Sequence, residues 1–178
     1  MLVWDAKNEW SVRYGCRRVD DLRELAQCCK PGAPVERIAF VPMFLGWETF
    51  ELFCRLAFVW LRAARGALIV EELADVTTPQ KAPAGWGRIL RQGLAYGPTI
   101  YALTVRPAES DKTVLSQCSL LHCHRMSSAD DEKYMAKHLR CDVAGVAQLR
   151  PLYWIERDNL KLETRFGGPV KIRPIRCA

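Results

Sequence analysis

Two adjacent carboxylates, Glu71 and Glu72, close the run "ALIVEE" at 67–72. The four apolar residues before them, Ala67 to Val70, form the kind of continuous run that is buried on both faces of a parallel sheet, so the acids are expected at a strand tip. One carboxylate placed there can hold the water shell of a magnesium ion while a second polarises an attacking water. The plainer alternative is a solvated pair at the end of a buried strand. A second group, "HCH" at 122–124, would need Cys118 or Cys141 to complete a zinc site, yet no Cys-x-x-Cys or His-x-x-x-His pair supports it. A third feature is charge: from residue 161 onward Lys161, Arg165, Lys171, Arg173 and Arg176 stand against Glu163 alone. A basic end of this kind favours phosphate-rich partners such as DNA, although solvated faces look alike.

The chain that must position these groups has 178 residues, enough for one domain with a sizeable core. With 49% hydrophobic and 26% charged residues and a net charge of +6, it has a globular composition rather than a disordered one. Its most apolar run, "FELFCRLAFVWLRAARGALIV", is broken by Glu51, Arg55, Arg62 and Arg65, so no bilayer-spanning helix is expected. "MLVWDAKNEW" lacks the basic start and apolar centre of a signal peptide, and a cytoplasmic protein follows as the expectation. The eight cysteines are accordingly read as reduced core thiols.

Strand-like runs at 2–6, 37–42, 67–72, 99–105 and 119–125 alternate with helical patterns at 19–29, 47–64, 85–97 and 127–139. The alternation predicts an α/β protein with a mostly parallel sheet flanked by helices. Ser127 or Ser128 is expected to cap the last helix, ahead of acids in its first turn. "PLYWIERDNLKLETRFGG" alternates on either side of Asp158-Asn159 and predicts a C-terminal β-hairpin. The expected division is therefore a main domain over 1–150 and a hairpin with a basic extension over 151–178. "TTPQKAPAGWG" at 77–87, rich in Pro and Gly, predicts a loop after the carboxylates, where parallel sheets carry ligand chemistry.

The order "ALIVEELADVT", "RILRQGLAYG", "IYALTVRPAESDKTVL" and "LLHCHRM" resembles the HerA/FtsK-type packaging and translocating ATPases, particularly those of membrane-containing bacterial viruses and their prophages. "LVWDAKNEW" resembles the second strand of that family, which is of RecA-like fold. The resemblance implies that Glu72 polarises the attacking water and that Glu71 holds the magnesium shell. It implies Thr104 and Arg106 at a sensor strand tip beside the γ-phosphate, and Arg88 or Arg91 as an arginine finger offered to a neighbouring subunit in a homo-oligomeric ring. It implies ATP and Mg as cofactors, DNA as partner, and a place in the bacterial host cytoplasm or the virion.

Two departures accompany it. A phosphate loop needs Gly-x-x-x-x-Gly-Lys-Ser/Thr, and the chain has no Gly-Lys dipeptide. "AESDKT" offers Lys112-Thr113 without glycines and with two acids where phosphate would approach. The expectation is a chain that starts after the first strand and phosphate loop and does not hydrolyse ATP alone. The second departure is Val105, which stands where the family's Thr-Gln-Arg-Pro has glutamine and cannot hydrogen-bond water or phosphate. Loss of these groups leaves a second reading, a noncatalytic nucleic-acid-binding or interaction module on the same fold.

Overall fold

A computed structural model describes residues 1–34, 36–63 and 66–171. Strands Leu2–Trp4 (β1), Arg17–Val19 (β2), Ile38–Phe40 (β3), Ala67–Val70 (β4) and Thr99–Ala102 (β5) form one sheet in the order β2-β3-β1-β4-β5. Every pairing in it is parallel, and Ala67 to Val70 align with Thr99 to Ala102. The expected α/β class, and the expected neighbourhood of 67–72 and 99–105, are therefore both present. β2 and the six-residue helix Glu9–Tyr14 (α1) escaped the sequence reading. β2 is a three-residue edge strand whose Arg17 and Arg18 point to solvent, where Arg17 bridges Glu24 at 2.6 Å and Glu36 at 2.9 Å.

The helix Trp47–Ala63 (α3) packs the sheet. Its aromatics recur at helical spacing, so Phe50, Phe53, Ala57 and Leu61 fall on one buried stripe. Trp4 on the central strand meets Phe50 and Phe53 edge-on, with ring centroids 5.0 and 5.2 Å apart. Leu22–Cys29 (α2) starts where Asp21 accepts the N–H groups of Arg23 and Glu24 at 2.8 and 2.9 Å. A four-residue helix, Leu73–Val76 (α4), follows β4, and Ala84–Gln92 (α5) continues as a 3-10 turn to Tyr96. α5 has no cap of its own: Glu51 of α3 accepts the Gly85 N–H at 2.7 Å, and a Cβ at Gly85 would stand 2.9 Å from that of Cys54.

One expected strand lies outside the parallel sheet. Residues 119–125 do not enter the parallel sheet: Leu120–Cys123 (β6) pairs antiparallel with Trp154–Asp158 (β7), which pairs with Glu163–Gly167 (β8). Leu121 and Cys123 are buried while Leu120 and His122 are exposed, so the run alternates and belongs to a sheet with one open face. The hairpin predicted around Asp158-Asn159 is present, with Asp158 accepting the N–H groups of Leu160 and Lys161. β5 was likewise read as doubly buried, but it lies at the edge of the described sheet with Tyr101 half exposed. Lys112–Gln117 (α6), Ala129–Leu139 (α7) and Val143–Ala147 (α8) complete the elements. Ser128 occupies the N-cap of α7 without a side-chain capping bond, and the first-turn acid Asp131 turns instead to accept the Ala108 N–H at 2.9 Å. Among the described residues no helix is long and apolar enough to cross a membrane, and Cys16, Cys28, Cys29, Cys54, Cys118, Cys123 and Cys141 are free thiols.

Candidate functional site

Parallel pairing brings the carboxyl ends of β1, β4 and β5 to one edge. The tips of β4 and β5 are tied there, since Leu103 N–H donates to Val70 O at 2.8 Å and Leu73 N–H returns to Leu103 O at 3.0 Å. Glu72 therefore precedes, and Thr104 follows, the residues that lock the two strands together.

Glu72 has φ 47° and ψ 52°, a left-handed conformation that costs a residue with a Cβ roughly 1–2 kcal/mol. The kink ends β4 and starts α4. The Glu72 carboxylate is ion-paired with Lys7, which the sequence reading passed over. Hydrogen bonding to Glu72 raises the Lys7 ammonium above its ordinary value and keeps it charged. Lys7 is held by the turn after β1, where fully buried Asp5 accepts the Glu9 and Trp10 N–H groups at 2.9 Å each and so starts α1.

Glu71 is placed differently. Its N–H donates to Trp4 O at 3.3 Å, and its carboxylate turns inward beside Trp10. Glu71 Oε2 and the Trp10 indole N–H are both buried, and the indole stands as the near donor to this carboxylate without meeting full hydrogen-bond geometry. Burial pushes the Glu71 carboxyl above the usual range, the Trp10 indole opposes this, and the charges of Asp5 and Glu9 add to the rise.

The other residues singled out by sequence are spread around this edge. Thr104 Oγ accepts the Arg106 N–H at 3.1 Å, while the Arg106 guanidinium is exposed and bridges Glu109 at 3.1 Å. Val105 beside them is 65% exposed, an apolar side chain left in solvent. On α5, Arg88 lies 4.1 Å over the Phe58 ring and donates to Gln92 at 3.2 Å. Arg91 is exposed and makes no ion pair among the described residues. Lys112-Thr113 begin α6, whose N-terminus is filled by buried Asp111 accepting the Thr113 N–H at 3.0 Å. Lys171 is exposed, and Arg173 and Arg176 lie outside the described residues. Among the described residues no cysteine joins the imidazoles in a three-ligand group: Cys123 is buried with its thiol pushed up to about 11, and Cys118 donates to Leu115 O. Lys7, Asp5 and Trp10 carried one sequence signal, the alternation of charge and aromatic in "WDAKNEW" directly after a strand.

The fold matches solved viral packaging proteins. The genome packaging NTPase B204 of Sulfolobus turreted icosahedral virus 2, in complex with ATP-gammaS, superposes with a TM-score of 0.77 at 13% identity, covering 96% of this chain and 82% of that one. The DNA-packaging ATPase B204 of Sulfolobus turreted icosahedral virus gives 0.75 at 16% identity, with the same coverage. The shared fold is P-loop NTPase-like: a parallel sheet flanked by helices, with an antiparallel sheet toward its C-terminal end. Protein P9 of Pseudoalteromonas phage PM2 is 38% identical over 163 residues, 88% of this chain and 73% of that protein, and the chain belongs to its family. No family model matches the chain.

Proposed function

We propose that the chain is an ATPase-type domain of a viral DNA-packaging motor that supplies the carboxylate side of a nucleotide site and does not bind ATP by itself. The observation that carries this reading is the tip of β4, where a left-handed Glu72 and a buried, weakly satisfied Glu71 carboxylate stand beside the locked tip of β5. Strain and unmet hydrogen bonding at one strand tip are features of functional sites. Magnesium and ATP fit the residues unequally. Glu71 Oε2 suits a hydrated cation, which it would hold through water, and Glu72 suits an attacking water once Lys7 releases it. The triphosphate does not fit, because no Gly-Lys loop exists in the chain and the N-terminus of α6 is filled by Asp111.

The phosphate grip is therefore assigned to residues outside 1–178, on this polypeptide or another. The free edge of β5 is where a further strand would carry that grip to Glu72. Arg91 is the better finger of the two arginines, since Arg88 is held by Phe58 and Gln92. The basic end, from Lys161 through Lys171, Arg173 and Arg176, is assigned to DNA phosphates. The domain would act in an oligomeric ring, in the bacterial host cytoplasm or on the virion. A noncatalytic DNA-binding scaffold is the second reading, favoured by the exposed Val105 and by an Arg106 already spent on Glu109.

Calorimetry with ATP and magnesium tests the proposal. The isolated chain is expected to give no micromolar binding, because several charge-assisted hydrogen bonds of roughly 1.5–3 kcal/mol each are absent. Micromolar binding overturns it. Added to packaging-ATPase subunits that carry a phosphate loop, the chain should raise turnover, and Glu72→Gln should abolish the gain. No gain from the wild-type chain favours the scaffold.

A further inference from the structure

The open face of the three-stranded sheet carries two imidazoles that the acid pair does not use. His122 and His124 are two residues apart, so they stand on one side of the strand. Each ring already uses its Nδ1. Glu156, directly across the ladder from His122, meets His122 Nδ1 at 3.1 Å, and the Tyr153 carbonyl meets His124 Nδ1 at 3.1 Å. A carbonyl and an ionised carboxylate only accept, so both Nδ1 atoms carry protons. In the neutral rings both Nε2 atoms are then bare. They face one another at 3.3 Å. Two lone pairs brought together across that gap repel unless a cation lies between them.

We propose that His122 and His124 bind a tetrahedral divalent transition-metal ion, of which Zn2+ is the type, through their Nε2 atoms. Two zinc–nitrogen bonds of about 2.0–2.1 Å at a tetrahedral angle put the nitrogens about 3.3–3.4 Å apart, whereas a right angle would bring them to about 2.9 Å. The observed gap matches the tetrahedral case. Glu156 and the Tyr153 carbonyl are the outer partners that fix ring orientation, a carboxylate–histidine pair of the sort that accompanies bound metal. Trp154 closes one side, with its ring 5.3 Å from that of His122. Sulfur takes no part, because Cys123 points to the opposite, buried face and donates to His124 O. No group of three or more ligand side chains forms among the described residues, so water completes the coordination.

The rival occupant of the gap is a proton shared by the two rings, with the extra charge balanced by Glu156. Calorimetric titration of the full chain with Zn2+ at mildly alkaline pH, beside cobalt absorption spectra, separates the two. One saturable equivalent is expected, with tetrahedral cobalt bands in the visible and no sulfur-to-cobalt charge transfer. His122→Gln and His124→Gln should each weaken binding at least tenfold, and Glu156→Gln by roughly 10–100-fold. Both imidazoles are exposed, so these variants should keep the wild-type circular dichroism. Absence of saturable binding, the result a shared proton gives, overturns the proposal. So does wild-type affinity in both histidine variants, or a sulfur charge-transfer band.

Discussion

The tip of β4 and the open face of β6–β7 both present ionisable groups, but they hold them by opposite means. At the tip, a large aromatic core drives a strand outward and its acids arrive strained or weakly satisfied: Glu72 in a left-handed conformation, Glu71 with a buried oxygen short of full hydrogen-bond geometry. On the face, a smaller core of Leu121, Cys123, Ile155 and their neighbours leaves His122, His124 and Glu156 at the surface. The imidazole Nδ1 atoms are satisfied across the ladder or by the backbone. The tip is built by burial and the face by pairing. Burial stores unmet interactions that chemistry can use, whereas pairing sets geometry that a ligand can read.

The sharpest way to break this contrast is to weaken the core behind the tip. Phe53→Ala removes a fully buried ring packed against Trp4, Phe40 and Phe50, and should cost about 3–5 kcal/mol in urea unfolding. A loss below about 1 kcal/mol would mean that the core does not drive the tip.

A smaller effect isolates the strain. Glu72→Gly and Glu72→Ala both lose the Lys7 ion pair, but only glycine relaxes at φ 47°. The glycine variant should therefore be more stable than the alanine variant by about 1 kcal/mol in thermal or urea unfolding. Equal stabilities would remove backbone strain from the account.

The smallest effect concerns Glu71. Its folded carboxyl is raised above the ordinary value of 4.5, chiefly by burial, so the folded chain binds this proton more readily than the unfolded one. The charged form is thus a liability at neutral pH, and that liability fades as pH falls through the raised value. Glu71→Gln should stabilise the chain at pH 7 by less than about 1 kcal/mol after allowance for solvent screening, and the gain should shrink toward pH 4.5. A gain that stays constant with pH would show that the carboxyl titrates normally and that the tip is no more buried than the face.

Much of the tip was legible before the structure. "ALIVEE" announces a buried strand ending in acids, and helical spacing from Phe50 to Leu61 announces the helix behind it, because periodicity and burial are local consequences of side-chain chemistry. "SLLHCHR" was harder. A short apolar run reads alike whether both faces are covered or one, and only its partner, Trp154 to Asp158, some thirty residues on, decides that His122 faces solvent opposite Glu156. The lysine that holds Glu72 was equally hidden, since Lys7 and Glu72 are 65 residues apart and meet only because β1 and β4 are neighbours. By itself the sequence determined most of the longer strands and helices, though not β2 or α1, and that an acid pair would close one strand. The tertiary structure decided the order of the strands, the left-handed turn at Glu72, and the meeting of Lys7 with Glu72 and of His122 with His124 and Glu156. Side-chain type acts over a few residues, whereas pairing across a sheet depends on which strands the whole core brings together.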